Sequence, residues 1–201
     1  MTDTRIRLLR EDDWDGVVAL EERAYAASGL SEGREALRSR HRASPATCFV
    51  LEHAGRLGGY LLALPYPPLR CPDLGHSEDT HGEDTHGEGT HGEAAPSTNM
   101  HAHDLVIAEE LRGHGLSHRM LRHLEETART AGFLSISLVA VRGSHVLWTP
   151  LGYRARPEIE LPASYGSGAV YMAMPLEPVP ARPLPPSTEP APGPRPSAEV
   201  G

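Results

Sequence analysis

Apolar residues recur along this chain with two different periods, and the switches between them predict alternating strands and helices. Ile6 and Leu8 alternate with arginines as a short first strand, and Glu11, Asp12 and Asp13 follow as an acidic opening suited to a helix N-terminus. Trp14, Val17, Val18, Leu20 and Tyr25 keep helical spacing to about Ala27, where Gly29 breaks the pattern. Ser31, Arg34, Leu37 and Arg40 predict a second, short helix. Residues 48–52 and 59–63 read as two strands, with Gly55 at the turn between them. A strand from His101 to Ala108 precedes a helix carrying Leu116, Met120, Leu124 and Ala128 at intervals of four, which Gly132 ends. Residues 133–141 are β-rich, 144–150 form a short helix, and Ala169 to Met174 is the last strand. The order predicts a mixed α/β fold, a mainly antiparallel twisted sheet with flanking helices and a strand-loop-helix unit at its centre.

Two stretches break this alternation. Residues 76–93 repeat HSEDT, HGEDT, HGEGT and HGE, with six acidic residues and no apolar one, so the segment cannot bury enough surface to offset its ordering entropy. In the tail from Leu176 to Gly201, nine of 26 residues are proline, which favours extended, solvated chain. We therefore expect one domain over residues 1–175, interrupted by a disordered insertion at 72–99 and followed by a disordered tail at 176–201. The four histidines of the repeat stand beside carboxylates, but five-residue spacing on a flexible chain fixes no ligand geometry, so no metal site is expected. A slipped repeat expansion is the simpler account of the insertion, with a mobile flap before the fourth strand as its functional counterpart. Pro183 to Pro186 is of a kind that docks in aromatic grooves, although an inert tail accounts for it equally.

Composition narrows the function. The net charge of −8 argues against a nucleic-acid partner. All 19 basic residues are arginine, which removes lysine nucleophiles and Schiff bases. Cys48 and Cys71 are too few for a disulfide framework and have no zinc-like spacing. Neither a signal-peptide pattern nor a membrane span is read from the sequence, so a cytoplasmic protein, monomer or homodimer, is expected.

The chemistry concentrates between Leu105 and His118. Gly113 and Gly115 allow close approach of backbone to an anion, successive N–H groups at a helix start receive it, and Arg112 adds a charge able to pair with phosphate. The pattern is neither a P-loop nor a three-glycine dinucleotide fingerprint. Arg112-Gly113-His114-Gly115-Leu116-Ser117 resembles the acetyl-CoA loop of the GCN5-related N-acetyltransferase (GNAT) family, Gln/Arg-x-x-Gly-x-Gly/Ala, with serine at the last small position. Leu151-Gly152-Tyr153 is similar to that family's Leu-Gly-Phe, and the resemblance extends over about Arg5 to Pro175. It implies the acyl-CoA N-acyltransferase fold and acetyl-CoA as donor. It places the pantetheine arm along Leu105, Val106 and Ile107, and the pyrophosphate on Arg112, Gly113, His114, Gly115, Leu116 and Ser117, with His118 beside them.

Acetyl transfer to an amine requires a base, because an alkylammonium titrates near 10. His101 and His103, at i and i+2, share one face of the strand feeding the loop, and a regular strand turns Asp104 the other way. The run from His101 to Ile107 is similar to the His-x-His-x-Leu-x-Val strand of the arylalkylamine (serotonin) branch, which implies that His101 and His103 are the catalytic pair. The tyrosine that the family often uses as general acid falls on Trp148, whose indole N–H is no proton source. Trp148 is therefore expected to pack on the pantetheine arm or in the core, and it also stands among the acceptor-binding candidates. Glu22, Tyr25 and Tyr60 are the remaining acceptor-binding candidates. The leading expectation is N-acetylation of a small primary amine. The same residues also serve a protein or peptide acetyltransferase, or a non-catalytic acyl-CoA-binding or metal-binding protein of this fold.

Overall fold

The computed structural model describes residues 3–77 and 97–177. The chain forms β1 (Thr4–Leu8), α1 (Trp14–Tyr25), α2 (Arg34–Ala43), β2 (Phe49–His53) and β3 (Arg56–Pro65). It continues as β4 (Asn99–Ile107), α3 (Leu116–Thr130), β5 (Ser135–Ala140), α4 (His145–Trp148), β6 (Arg154–Ala155) and β7 (Val170–Pro175). The strands make one sheet in the order β1-β2-β3-β4-β5-β7-β6, in which only β4 and β5 are parallel. The expected mixed, mainly antiparallel sheet is thus present. The two-residue edge strand β6 is too short to leave a periodic signal in the sequence.

Period-two alternation decides what each face buries. On β3, Tyr60 and Leu62 join Trp14, Val17 and Leu20 of α1 and Leu37 of α2 in one core layer. Leu61 and Ala63 point the other way, against Met120, Leu121, Leu124 and Ala128 of α3. Those four residues lie on one stripe of the helix, and burying each large side chain contributes about 1.5–3 kcal/mol. Gly132 ends α3 with φ 84°, while the Phe133 N–H donates back to the Ala128 carbonyl.

Two irregularities shape the centre of the sheet. Leu62 pairs with Asp104 but Ala63 pairs with Ala102, so His103 is an extra, bulged residue on β4. Asp104, paired with Leu62, lies on the α1 and α2 face, and the bulge puts the histidines on that same face. The expectation that Asp104 points away from them fails because β4 is not a regular strand. The second irregularity is a gap. β4 and β5 pair only through Asn99–His101 and Ser135–Ser137, and beyond those residues the two strands diverge.

The ends of the expected insertion are built into the fold. The Pro72 carbonyl accepts from Tyr165 Oη (2.9 Å), Ser164 Oγ donates to Asp73 Oδ1 (2.7 Å), and Arg40 donates to the carbonyls of Asp73 and His76. On the far side, Asn99 opens β4. The rest of the repeat and the proline-rich tail, with the disorder, flap and metal readings attached to them, lie outside the described residues.

Candidate active site

The loop after β4 takes the form its glycines predict. Gly113 (φ 79°) and Gly115 (φ 71°) adopt left-handed conformations that side chains resist. Gly115 occupies the N-cap of α3, where no side chain bonds back to the first turn. The amides of Leu116, Ser117 and His118 precede the first intrahelical bond, from the Arg119 N–H to the Gly115 carbonyl, so they are free to meet an anion. Arg112 Nε donates to the Ile107 carbonyl at 3.2 Å and ties the loop to the end of β4.

A cavity of about 550 Å³ runs from this loop into the gap between β4 and β5. Arg112, Gly113, Gly115, Leu116, Ser117 and His118 line one part of it, and Leu105, Val106 and Ile107 form its floor. Val141, Arg142, Ser144 and Trp148 close the β5 side, while Ala24 and Tyr25 at the end of α1 close the other. Of the expected cofactor residues only His114 stays outside: it is exposed, and its Nδ1 lies 2.9 Å from the Arg112 carbonyl. Divergence of the strands leaves backbone groups of β4 without a β5 partner beyond His101, which suits an extended amide-bearing arm.

The acceptor-side expectations divide. Tyr25 lines the cavity; Tyr60 is wholly buried behind it. Glu22 is exposed on α1 and does not line the cavity. The neighbouring Glu21 is the carboxylate that turns inward, accepting from Ser31 Oγ (2.6 Å) and the Glu32 N–H (2.8 Å). Trp148 lines the cavity, donates from Nε1 to Ser144 Oγ at 3.3 Å, and meets Tyr153 edge to face with ring centroids 6.0 Å apart.

The two histidines share a face, with ring centroids 6.2 Å apart, but neither lines the cavity. His101 is wholly buried, its Nδ1 2.9 Å from Ser137 Oγ. Burial, reinforced by His103 and Arg40, holds its pKa well below the ordinary value, so the ring is neutral. The His103 side chain is also sealed, with Nε2 2.6 Å from Glu32 Oε1, and that carboxylate assigns the proton to Nε2. Burial alone would raise the Glu32 pKa; His103 and Arg40 outweigh it and hold the carboxylate ionised.

Next to this group lies a cluster that the sequence reading missed. Asp104 Oδ1 accepts from Tyr25 Oη at 2.8 Å, and Oδ2 accepts from Tyr60 Oη. Burial raises the Asp104 pKa to about 6, although Tyr60, His103 and Tyr25 pull it down. Both phenols titrate well above 10, through burial first and the neighbouring carboxylate second, so they remain donors. Among the described residues, no set of three or more histidine, cysteine, aspartate or glutamate side chains is placed to hold a metal.

Residues 14–153 match the family described as Acetyltransferase (GNAT) family. The chain belongs to that family. No curated protein matches it in sequence. Among solved structures of this GNAT protein's fold, the loading GNATL domain of CurA from Lyngbya majuscula superposes with a TM-score of 0.64 at 15% identity, over 87% of this chain and 98% of that one. Ard1 from Thermoplasma volcanium gives 0.60 at 15% identity, over 87% and 98%. A GNAT family acetyltransferase from Brucella melitensis in complex with acetyl-CoA gives 0.57 at 15% identity, over 88% and 90%. At these identities the likenesses establish the fold. No helix among the described residues is long and apolar enough to cross a membrane.

Proposed function

We propose that this GNAT protein transfers the acetyl group of acetyl-CoA to a primary amine. One observation carries the reading: a single cavity joins an uncapped helix start beside an arginine to the gap where β4 and β5 part. A diphosphate requires the first feature and an extended pantetheine arm fits the second. Acetyl-CoA bound to a relative of the same fold supports the choice of donor.

In this reading the amides of Leu116 to His118 and the Arg112 guanidinium hold the pyrophosphate. Unpaired backbone of Leu105–Ile107 bonds the pantetheine amides and directs the thioester along β4 toward Tyr25. The amine nitrogen attacks the thioester carbonyl, an N–C bond forms, and the C–S bond breaks to release CoA thiolate. Trp148 cannot protonate that thiolate, but a thiolate is a fair leaving group, and the Ser144 hydroxyl stands on the cavity wall as a donor to it.

The likeness to the arylalkylamine branch rests on the run from His101 to Ile107, and both of its histidines are bonded to interior partners. A small amine is the favoured acceptor in this reading because Ala24 and Tyr25 of α1 close one side of a cavity of about 550 Å³. The test is release of free thiol from acetyl-CoA with arylalkylamines, polyamines, amino acids and amino-terminal peptides. Turnover with at least one small amine is expected. Turnover confined to peptides would replace the small-molecule reading with a protein acceptor, and no turnover with any amine would overturn the acyl-transfer reading.

A further inference from the structure

We infer that Asp104, acting through the Tyr25 hydroxyl, accepts the proton that the amine must lose before it attacks. The inference rests on the acyl-transfer reading above. Of the buried ionisable groups near the cavity, among the described residues, Asp104 is the one with a hydrogen-bonded path to the cavity wall: Tyr25 lines the cavity and donates to Asp104 Oδ1 at 2.8 Å. The histidines have no such path among the bonds they make, since His101 ends on Ser137 and His103 on Glu32.

Asp104 pairs with Leu62 and so lies on the face covered by α1 and α2, and the extra residue beside it puts His103 on that face as well. The carboxylate sits between two phenols, one at the cavity and one behind. Tyr60 is wholly buried and acts as a fixed donor to Oδ2, which keeps the carboxylate in place while Tyr25 exchanges its proton. The ionisable groups around Asp104 are Tyr25 and Glu21 from α1, Glu32 ahead of α2, Arg40 from α2, Tyr60 from β3 and His103 from β4. Burial lifts Asp104 to about 6, closer to the amine than an ordinary aspartate.

The proton balance is simple. The ammonium gives a proton to Tyr25 Oη as Tyr25 passes its own to Asp104 Oδ1. An ammonium and a carboxylate thereby become a free amine and a carboxylic acid, with Tyr25 unchanged. After the N–C bond forms, the nitrogen gives its second proton to the departing thiolate, which leaves as CoA thiol, and the proton held on Asp104 returns through Tyr25 to water.

The test uses the full chain, acetyl-CoA and the best amine of the panel, with kcat/KM measured from pH 5 to 9 for the wild type, Asp104→Asn and Tyr25→Phe. Acetyl-CoA binding is followed separately by thermal shift. The wild type is expected to lose kcat/KM below about pH 6 (the position set by Asp104). Tyr25→Phe is expected to lower kcat on the order of 10²–10⁴-fold, and Asp104→Asn to lower it similarly and abolish the acid limb, while acetyl-CoA binding changes less than about threefold in both. Tyr25→Phe keeps the ring and serves if Asp104→Asn fails to fold. An unchanged limb and rate in these variants, or a limb that moves only with His101→Gln and His103→Gln, would overturn the assignment while leaving acyl transfer intact. Absence of turnover by the wild type with every amine would remove the acyl-transfer reading and this inference together.

Discussion

Arg40 offers a quantitative check on how the site is held. It comes from α2, is wholly buried, and joins three separate segments. Its Nη2 lies 3.1 Å from Glu32 Oε2, 2.8 Å from the Asp73 carbonyl and 2.9 Å from the His76 carbonyl, while its Nε lies 3.3 Å from His103 Nε2. Arg40→Met keeps much of the apolar stem and removes the charge. It leaves the buried Glu32 carboxylate without its arginine, with the His103 contact in place, and strips a donor from two carbonyls. Breaking a buried pair by removing one member costs about 3–5 kcal/mol, and a domain of this size shifts by roughly 2–4 °C per kcal/mol. Urea denaturation at pH 7 should therefore show a loss of about 3–5 kcal/mol, and thermal melts a fall on the order of 10 °C. Arg40→Lys should recover little, because an ammonium cannot reproduce the guanidinium fork. Glu32 is held below its ordinary value of 4.5, so the pair stabilises the fold above that pH and the contribution fades as pH falls through the folded pKa. The gap between variant and wild type should accordingly narrow on acidification below 4.5. A loss under about 1 kcal/mol, the range of exposed pairs, or a gap that widens in acid, would refute the account of this network.

Three further outcomes follow from the site. Gly115→Ala meets no atom within 4 Å, so its cost is the left-handed backbone alone, about 1–2 kcal/mol by chemical denaturation. Arg112→Gln removes one charge-assisted contact to phosphate, and acetyl-CoA Kd by calorimetry should rise roughly tenfold, while loss of its bond to the Ile107 carbonyl lowers the melting temperature of the free protein by no more than about 5 °C. Asp104→Asn should stabilise the free protein at pH 8 and not at pH 4. The folded carboxyl titrates near 6, above its ordinary 3.8, so ionising it opposes folding once the pH exceeds the unfolded value. Denaturation midpoints at the two pH values check this, and the gain at pH 8 should be about 1–3 kcal/mol.

The legible parts of this protein are those with strong local signals. Alternation gave β3 its two faces, four-residue spacing gave α3, and Gly113 and Gly115 marked the loop because left-handed backbone at a helix start demands glycine. What escaped depends on contacts distant in sequence. Nothing in the run from His101 to Asp104 announces that His103 is bulged, and that single extra residue puts the histidines on the same face as Asp104, Tyr25 and Tyr60. Glu21 and Glu22 are adjacent and chemically alike, so only the orientation of α1 decides which is buried. Arg40 looks like an ordinary surface arginine on a short helix until the chain after β3 folds across it. The histidine pair was correctly placed on one face, but its burial follows from α2 and the segment around Asp73, which periodicity cannot position.

The central claim is that the cavity between the Arg112–Ser117 loop and the β4–β5 gap binds acetyl-CoA, and the melting temperature of the full chain across an acetyl-CoA titration tests it most directly. At about 100 times the dissociation constant, ligand binding to the folded state contributes about 2.7 kcal/mol. The account predicts a rise of roughly 5–10 °C that continues with the logarithm of acetyl-CoA concentration and is smaller in Arg112→Gln. A melting temperature unmoved by millimolar acetyl-CoA would contradict it.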